Sequence, residues 1–230
     1  MTHNDAKTSK LNFQGDIFVL FLLIHEVIMK QEVSYKNSLL TNDDLKLLDE
    51  GKWLNDKLIG FAFEYIEDAY PKCLLVSPEA TQLLNLGSPE DASSVLSSLN
   101  AGEKDLILFP LNDCITPTEI GGSHWSLLVF DVKAGQCFHL DSSLDFNFQT
   151  AARFCKKLSL PFISPSNVKS INCVQQKNGY DCGIHVICNA NHILDNYSKG
   201  VPLFETLGDV TSYKHKRKEM KTAILKLLSN

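Results

Sequence analysis

Ser123 to Asp141 reads SHWSLLVFDVKAGQCFHLD. Two apolar runs, Ser123–Val132 and Gln136–Asp141, flank the turn-forming Lys133-Ala134-Gly135, and the pattern is that of an antiparallel hairpin. A turn centred between Val132 and Lys133 pairs residues whose numbers sum to 265, and His124 and Asp141 meet that sum. Directly opposed residues share a face, with neighbouring Cβ atoms. The spacing therefore expects an imidazole and a carboxylate side by side. Taken alone, a strand-end histidine and a turn aspartate would read the same way.

Working outward, Asp105–Leu111 (DLILFPL) is a second strand candidate, ended by Asn112-Asp113, and Ile171–Gln175 a third. Leu54, Leu58, Phe61, Ala62, Tyr65, Ile66 and Ala69 recur at helical spacing, with Asn55 or Asp56 as N-cap. Ser77-Pro78-Glu79 and Ser88-Pro89-Glu90 each set a capping serine before a proline, predicting helices over 78–86 and 89–99. Further helices are expected over 147–158, over 181–197 with Asp181 as cap, and through Met220, Ala223, Ile224, Leu227 and Leu228. Strands and helices are interspersed without repeats, which predicts one α+β domain spanning 29–230.

The helix beginning at Asp181 poses a chemical question, because Cys182 lies in its first turn. A reactive cysteine must supply a thiolate near neutral pH, and the unpaired N–H groups of a helix start favour negative charge. Gly183 places no side chain in front of the sulfur. Cys155 and Cys188 fall inside predicted helices, and Cys137 and Cys173 inside predicted strands, where they read as small buried hydrophobes. Cys73 and Cys114 lie near element ends. Position alone leaves Cys182 open between nucleophile and structural thiol. With His124 and Asp141 the chemistry is coherent: the histidine takes the thiol proton, and the carboxylate orients and stabilises the ring.

The 230 residues suit one substantial domain, with 44% hydrophobic and 21% charged residues. A net charge of −5 argues against nucleic acid and is compatible with a partner presenting positive side chains. Seven cysteines without a CxxC pair indicate a reducing compartment, cytoplasm or nucleus. The run IFVLFLLI (Ile17–Ile24) is shorter than the ~20 residues a spanning helix needs. Residues 1–28 stay open between a packed element, an optional extension and a targeting or membrane segment, with Met29 as an alternative start. A membrane partner is not expected.

Taken in order, Trp53-Leu54-Asn55-Asp56, Gly122-Ser123-His124-Trp125-Ser126, Asp141-Ser142, and Gln176 separated by five residues from Cys182-Gly183 resemble the Ulp/sentrin-specific cysteine proteases. The stretches IGFAFEYI (59–66), SPEATQLL (77–84), GGSHWSLLVF (121–130) and DCGIHVICN (181–189) are most similar to the compact deneddylase branch. The resemblance implies a papain-like α+β fold, with a mixed sheet flanked by helices and the site between a helix N-terminus and the sheet. It implies cleavage after the C-terminal diglycine of the Nedd (Rub) ubiquitin-like modifier, in its precursor or on conjugates such as cullins. The enzyme would be monomeric and use no cofactor or metal.

Carried over by residue, Cys182 would be nucleophile, His124 base then acid, Asp141 orienter and Gln176 an oxyanion donor. Trp53 and Trp125 would enclose the diglycine, although plain core packing explains two tryptophans equally well. Asp56 would meet the arginine before the diglycine, or simply cap its helix. Asn112–Gly122 would be a mobile loop beside the cleft, with Asn112 touching the tail.

Two other patterns carry less. His185, Cys188 and His192 share a helix face but lack a fourth ligand for zinc. Lys214–Lys218 (KHKRK) reads as a solvated basic face, with nuclear localisation or an acidic patch on the modifier as alternatives. Rival readings of the whole are the same chemistry on a SUMO modifier, acyl transfer to protein side chains, and a non-catalytic modifier-binding module.

Overall fold

A computed structural model describes residues 32–116, 121–158, 168–207 and 212–228. Residues 1–28 lie outside that set, as does part of the expected loop, 117–120. At the start, β1 (Val33–Tyr35) and β2 (Ser38–Leu40) form a two-stranded antiparallel ribbon, followed by α1 (Asn42–Lys46) and α2 (Asp56–Glu67). Then come β3 (Cys73–Leu75), α3 (Pro78–Leu86), α4 (Pro89–Ser98), a short 3₁₀ turn, and β4 (Leu106–Asn112). The hairpin is β5 (Trp125–Asp131) and β6 (Gln136–Leu140). It is followed by α5 (Phe148–Lys157), β7 (Val168–Ile171), α6 (Cys182–Lys199) and α7 (Tyr213–Leu228).

The main sheet has strand order β3-β4-β5-β6-β7, antiparallel at its centre and parallel at both outer pairs. Its central strands are apolar on both faces because both faces are covered. Leu106, Leu108, Leu127, Val129 and Leu140 point to one side, among residues of α2, α6 and α7 such as Phe61, Ile187 and Ile224. Ile107, Phe109, Leu111, Leu128 and Phe130 point to the other, among residues of α3, α4 and α5. There Phe109 meets Phe154 edge-on at 5.2 Å. The alternation along each strand thus builds a helix–sheet–helix sandwich, the expected α+β arrangement.

The helix starts follow their caps. Ser77 accepts from Ala80 N–H and Ser88 from Asp91 N–H, and each helix begins at the following proline. Asn55, not Asp56, caps α2, accepting from Leu58 N–H at 3.1 Å.

The hairpin is real, but its register differs from the expectation. Leu127 pairs with Leu140 and Asp131 with Gln136, so paired numbers sum to 267. The turn is four residues long: Ala134 N–H is held by Asp131 Oδ1 at 2.9 Å, and Gly135 supplies a φ of +64°. A shift of two preserves the face of every side chain, so His124 and Asp141 become diagonal rather than direct neighbours. The last strand was also misplaced. β7 runs Val168–Ile171, parallel to β6, and Cys173 lies beyond it, outside any strand.

Candidate active site

Cys182 is the first residue of α6 and is almost wholly buried. The expected cap does not form: Asp181 occupies the N-cap position, yet its side chain makes no capping hydrogen bond. Its carboxylate instead receives Arg217 Nη2 at 2.6 Å and Nε at 3.0 Å, and Asn178 Nδ2 at 2.8 Å. Asn178 Oδ1 in turn accepts the N–H groups of Tyr180 and Asp181. The turn entering the helix is thereby fixed from outside it.

Arg217 corrects the reading of the basic run. Its guanidinium is largely enclosed and also donates to the carbonyls of Leu47, Asp49 and Lys52, which lead to Trp53. One cation on α7 therefore ties the Trp53 turn to the Cys182 turn. Trp53 Nε1 adds a bond across the same gap, to Gly179 O at 2.6 Å. Gly183 has a packing role as well. A Cβ there would come within 3.0 Å of Leu54 Cβ and 3.3 Å of Ile59 Cδ1, so the glycine permits close packing of the start of α6 against those side chains.

His124 sits immediately before β5. Its N–H donates to Asp113 Oδ1 at 3.0 Å, and Asp113 also takes Ser123 N–H and Oγ–H. A Cβ on Gly122 would collide with the Asn112 and Asp113 side chains, which is why the approach to His124 requires a glycine. From the sequence Asp113 reads only as the end of a strand and part of the Asn112–Gly122 loop. A carboxylate opposite a Gly-Gly-Ser-His turn was the available signal.

The imidazole and carboxylate meet as expected, with His124 Nε2 2.6 Å from Asp141 Oδ1. Cys182 also acts on the same ring, favouring its charged form, and with Nε2 taken by Asp141, Nδ1 is the nitrogen left for it. Asp141 Oδ1 also accepts Ser143 N–H, and Oδ2 accepts Asn147 N–H, each at 2.8 Å. Burial works against the Asp141 charge, but His124 and these N–H donors hold its carboxyl below the usual carboxylate range. Burial likewise disfavours a charged His124; the hydrogen bonds and charges of Asp141 and Cys182 outweigh it and raise the imidazole to about 9. Asn147, buried, bridges to Ser126 Oγ and Leu111 O and fixes the turn after Asp141.

The other thiols are differently placed. Burial pushes Cys73 and Cys188 up to about 12 and Cys173 up to about 11, and a hydrogen bond with Cys137, with burial, raises Cys155. Those four are disfavoured as thiolates. Gln176 precedes Cys182 in the chain, its Oε1 accepting from Ser142 Oγ at 2.7 Å and its Nε2 donating to Asn178 O at 2.6 Å. An amide nitrogen carries two hydrogens, so one donor remains.

A cleft of about 740 Å³ opens beside Cys182. Trp53, Asp56, Asn112 and Trp125, all singled out from the sequence, line it, and α3 contributes Leu83 and Leu86. Trp53 is half exposed, not core, while Trp125 is partly buried. Asp56, freed from capping, is exposed and forms no ion pair among the described residues. A thiol beside an oriented imidazole, at the end of a cleft with two indoles, can perform nucleophilic attack on a carbonyl of an extended chain.

Comparison with known proteins agrees. The model of the Ulp1 protease family, C-terminal catalytic domain, matches residues 52–226. Sentrin-specific protease 8 of Rattus norvegicus is 35% identical over 180 residues, covering 74% of this chain and 82% of that protein. NEDD8-specific protease 1 of Arabidopsis thaliana is 32% identical over 215 residues, covering 86% and 93%. Among solved structures, the C-terminal Ulp1 protease domain in complex with Smt3, the yeast orthologue of SUMO, superposes with a TM-score of 0.67 at 22% identity, covering 98% of this chain and 100% of that one. At that identity the likeness speaks for the papain-like α+β fold.

Proposed function

The chain belongs to the Ulp1 protease family and is a cysteine peptidase; on that premise we propose that it is a deneddylase, cleaving after the terminal diglycine of a Nedd-type modifier in precursors and in conjugates such as those of cullins. The observation carrying the chemistry is the Cys182–His124–Asp141 arrangement at the end of the tryptophan-lined cleft. Support for the Nedd modifier comes from the resemblance of NEDD8-specific protease 1 over nearly the whole of both chains, and from the unpaired carboxylate of Asp56 in the cleft. A cationic tail residue ahead of the diglycine would meet that carboxylate.

Cys182 is the nucleophile. Its sulfur attacks the carbonyl carbon of the last glycine while Trp53 and Trp125 enclose the two residues that lack side chains. The oxyanion is met by the remaining Gln176 Nε2–H and the Cys182 N–H, the former contributing about 2.7–4 kcal/mol of transition-state stabilisation. His124 passes its proton to the departing nitrogen as the C–N bond breaks, leaving a thioester. It then takes a proton from water, whose oxygen displaces the sulfur and frees the modifier's carboxylate. Asn112 would touch the tail from the end of β4.

Electrophilic C-terminal probes built on Nedd, SUMO and ubiquitin, compared in parallel, test the substrate. The expected result is fastest adduct formation with Nedd, at Cys182. Preferential labelling by the SUMO probe would overturn the substrate choice while leaving the chemistry intact.

A further inference from the structure

The turn between Asp141 and Asn147 presents two large apolar side chains to water: Leu144 is 88% exposed and Phe146 64%. It does so with a strained backbone. Leu144 (φ 50°) and Asp145 (φ 58°) occupy the left-handed region in succession, where residues bearing a Cβ are uncommon. Such strain persists only where surroundings impose it, and it clusters at functional sites. Here they do impose it. Leu144 N–H donates to Gln175 Oε1 at 2.8 Å, and Ser170 Oγ–H is held between the two Asp145 carboxylate oxygens at 2.6 and 2.7 Å. Phe146 N–H returns to Ser143 O at 3.0 Å. The backbone that carries the two exposed hydrophobes is thus pinned on both sides of Asp145.

Their location gives them a use. Phe146 stands edge-on to His124, ring centres 5.6 Å apart, yet neither it nor Leu144 lines the cleft that reaches Cys182 from the tryptophan side. In the proposed reaction the proton on His124 goes to the departing nitrogen, which must come within about 3 Å of the imidazole. The chain carrying that nitrogen must therefore cross the surface around His124 that the modifier's tail leaves open. Leu144 and Phe146 are the large apolar side chains exposed on the Asp141–Asn147 turn there.

We propose that Leu144 and Phe146 form a docking site for the leaving-group polypeptide, favouring an apolar side chain next to the amine from which the modifier is released. This rests on the protease reading above and adds a determinant for the departing protein rather than for the modifier. Presentation on a pinned backbone lets an apolar neighbour be covered at little ordering cost.

Two Nedd-modifier fusions test it, one with a Ser/Gly leaving peptide and one with Leu or Phe beside the scissile bond. Wild type should show a kcat/KM ratio favouring the apolar fusion by about tenfold, the low end of single-side-chain discrimination. In Leu144→Ser, and separately in Phe146→Ser, the ratio should fall toward one. A wild-type ratio near one, or a ratio that both variants retain, overturns the docking site while leaving the protease reading standing. No turnover of either fusion by wild type overturns both. An unchanged ratio, with a wild-type dimer that Leu144→Ser dissociates, would assign the surface to a second copy of the chain and also overturn the proposal.

Discussion

Arg217, on the last helix, donates Nη2 to Asp181 Oδ1 at 2.6 Å, and Asp181 is the residue immediately before Cys182. The same guanidinium reaches the carbonyls of Leu47 and Lys52, so it joins the two turns that carry Trp53 and the nucleophile. Arg217→Ala should cost about 2 kcal/mol of stability, because it leaves acceptors unpaired in a largely enclosed setting. It should also lower kcat more than it raises KM. Lysine should rescue poorly, since a single ammonium cannot span the same acceptors. Denaturant titration with steady-state kinetics on the three proteins checks this, and a full rescue by lysine would contradict the bridging role.

Asp141→Asn should keep the fold and lose turnover by about 10³–10⁴-fold, the scale seen when an orienting carboxylate is neutralised. Asp141 Oδ1 takes both Ser143 N–H and His124 Nε2 while Oδ2 takes Asn147 N–H, so an asparagine amide must turn its NH₂ either on His124 and Ser143, favouring the wrong tautomer, or on the Asn147 N–H, pushing the side chain off the imidazole. Kinetics with the fold confirmed by circular dichroism measure the effect.

The raised value of His124, about 9, fixes a pH dependence. A folded value above the unfolded one of about 6.5 means that protonated His124 contributes stability fully below about pH 6.5, and that this is lost as pH rises through about 9. Turnover needs the imidazolium as proton donor to the leaving nitrogen, so kcat/KM should fall on an alkaline limb near pH 9. In Asp141→Asn, whose residual rate is measurable with concentrated enzyme, that limb should move to lower pH. An unmoved limb would detach it from the His124–Asp141 pair.

Gly183→Ala tests the packing of the start of α6 against Leu54 and Ile59. The new methyl group meets the Leu54 and Ile59 side chains, and overpacking of this kind costs about 1–3 kcal/mol. Because Leu54 adjoins Trp53, the variant should also slow labelling of Cys182. A thermal melt and a labelling time course report the two effects separately.

Local signals made much of this legible in the sequence. Ser77-Pro78 and Ser88-Pro89 announce their helices because cap and first turn are contiguous, and both starts fall where expected. Cys182 stands out by its place at a helix start, His124 and Asp141 by their hairpin pairing and Trp53 through the family resemblance, and the fold brings all four to one cleft or its immediate edge. The hairpin register slipped by two because Gly135 and the Asp131 carboxylate lengthen the turn. β7 was misplaced since Val168-Lys169-Ser170-Ile171 is an edge strand of mixed polarity whose partner is parallel and 31 residues away. Arg217 could not be found at all: its partners are mostly backbone carbonyls some 170 positions distant, and a carbonyl leaves no mark in the sequence. What pattern reading misses is the long-range bracing that holds the legible residues in place.

The most direct test of the central claim, a thiol activated by an adjoining imidazole, is the rate of iodoacetamide alkylation at each cysteine near pH 7, mapped by mass spectrometry. Cys182 should be modified well ahead of Cys114, the partly buried thiol in the same cleft, and His124→Ala should abolish that lead. Faster modification of Cys114 in the unaltered protein, or a Cys182 rate indifferent to His124, would contradict it.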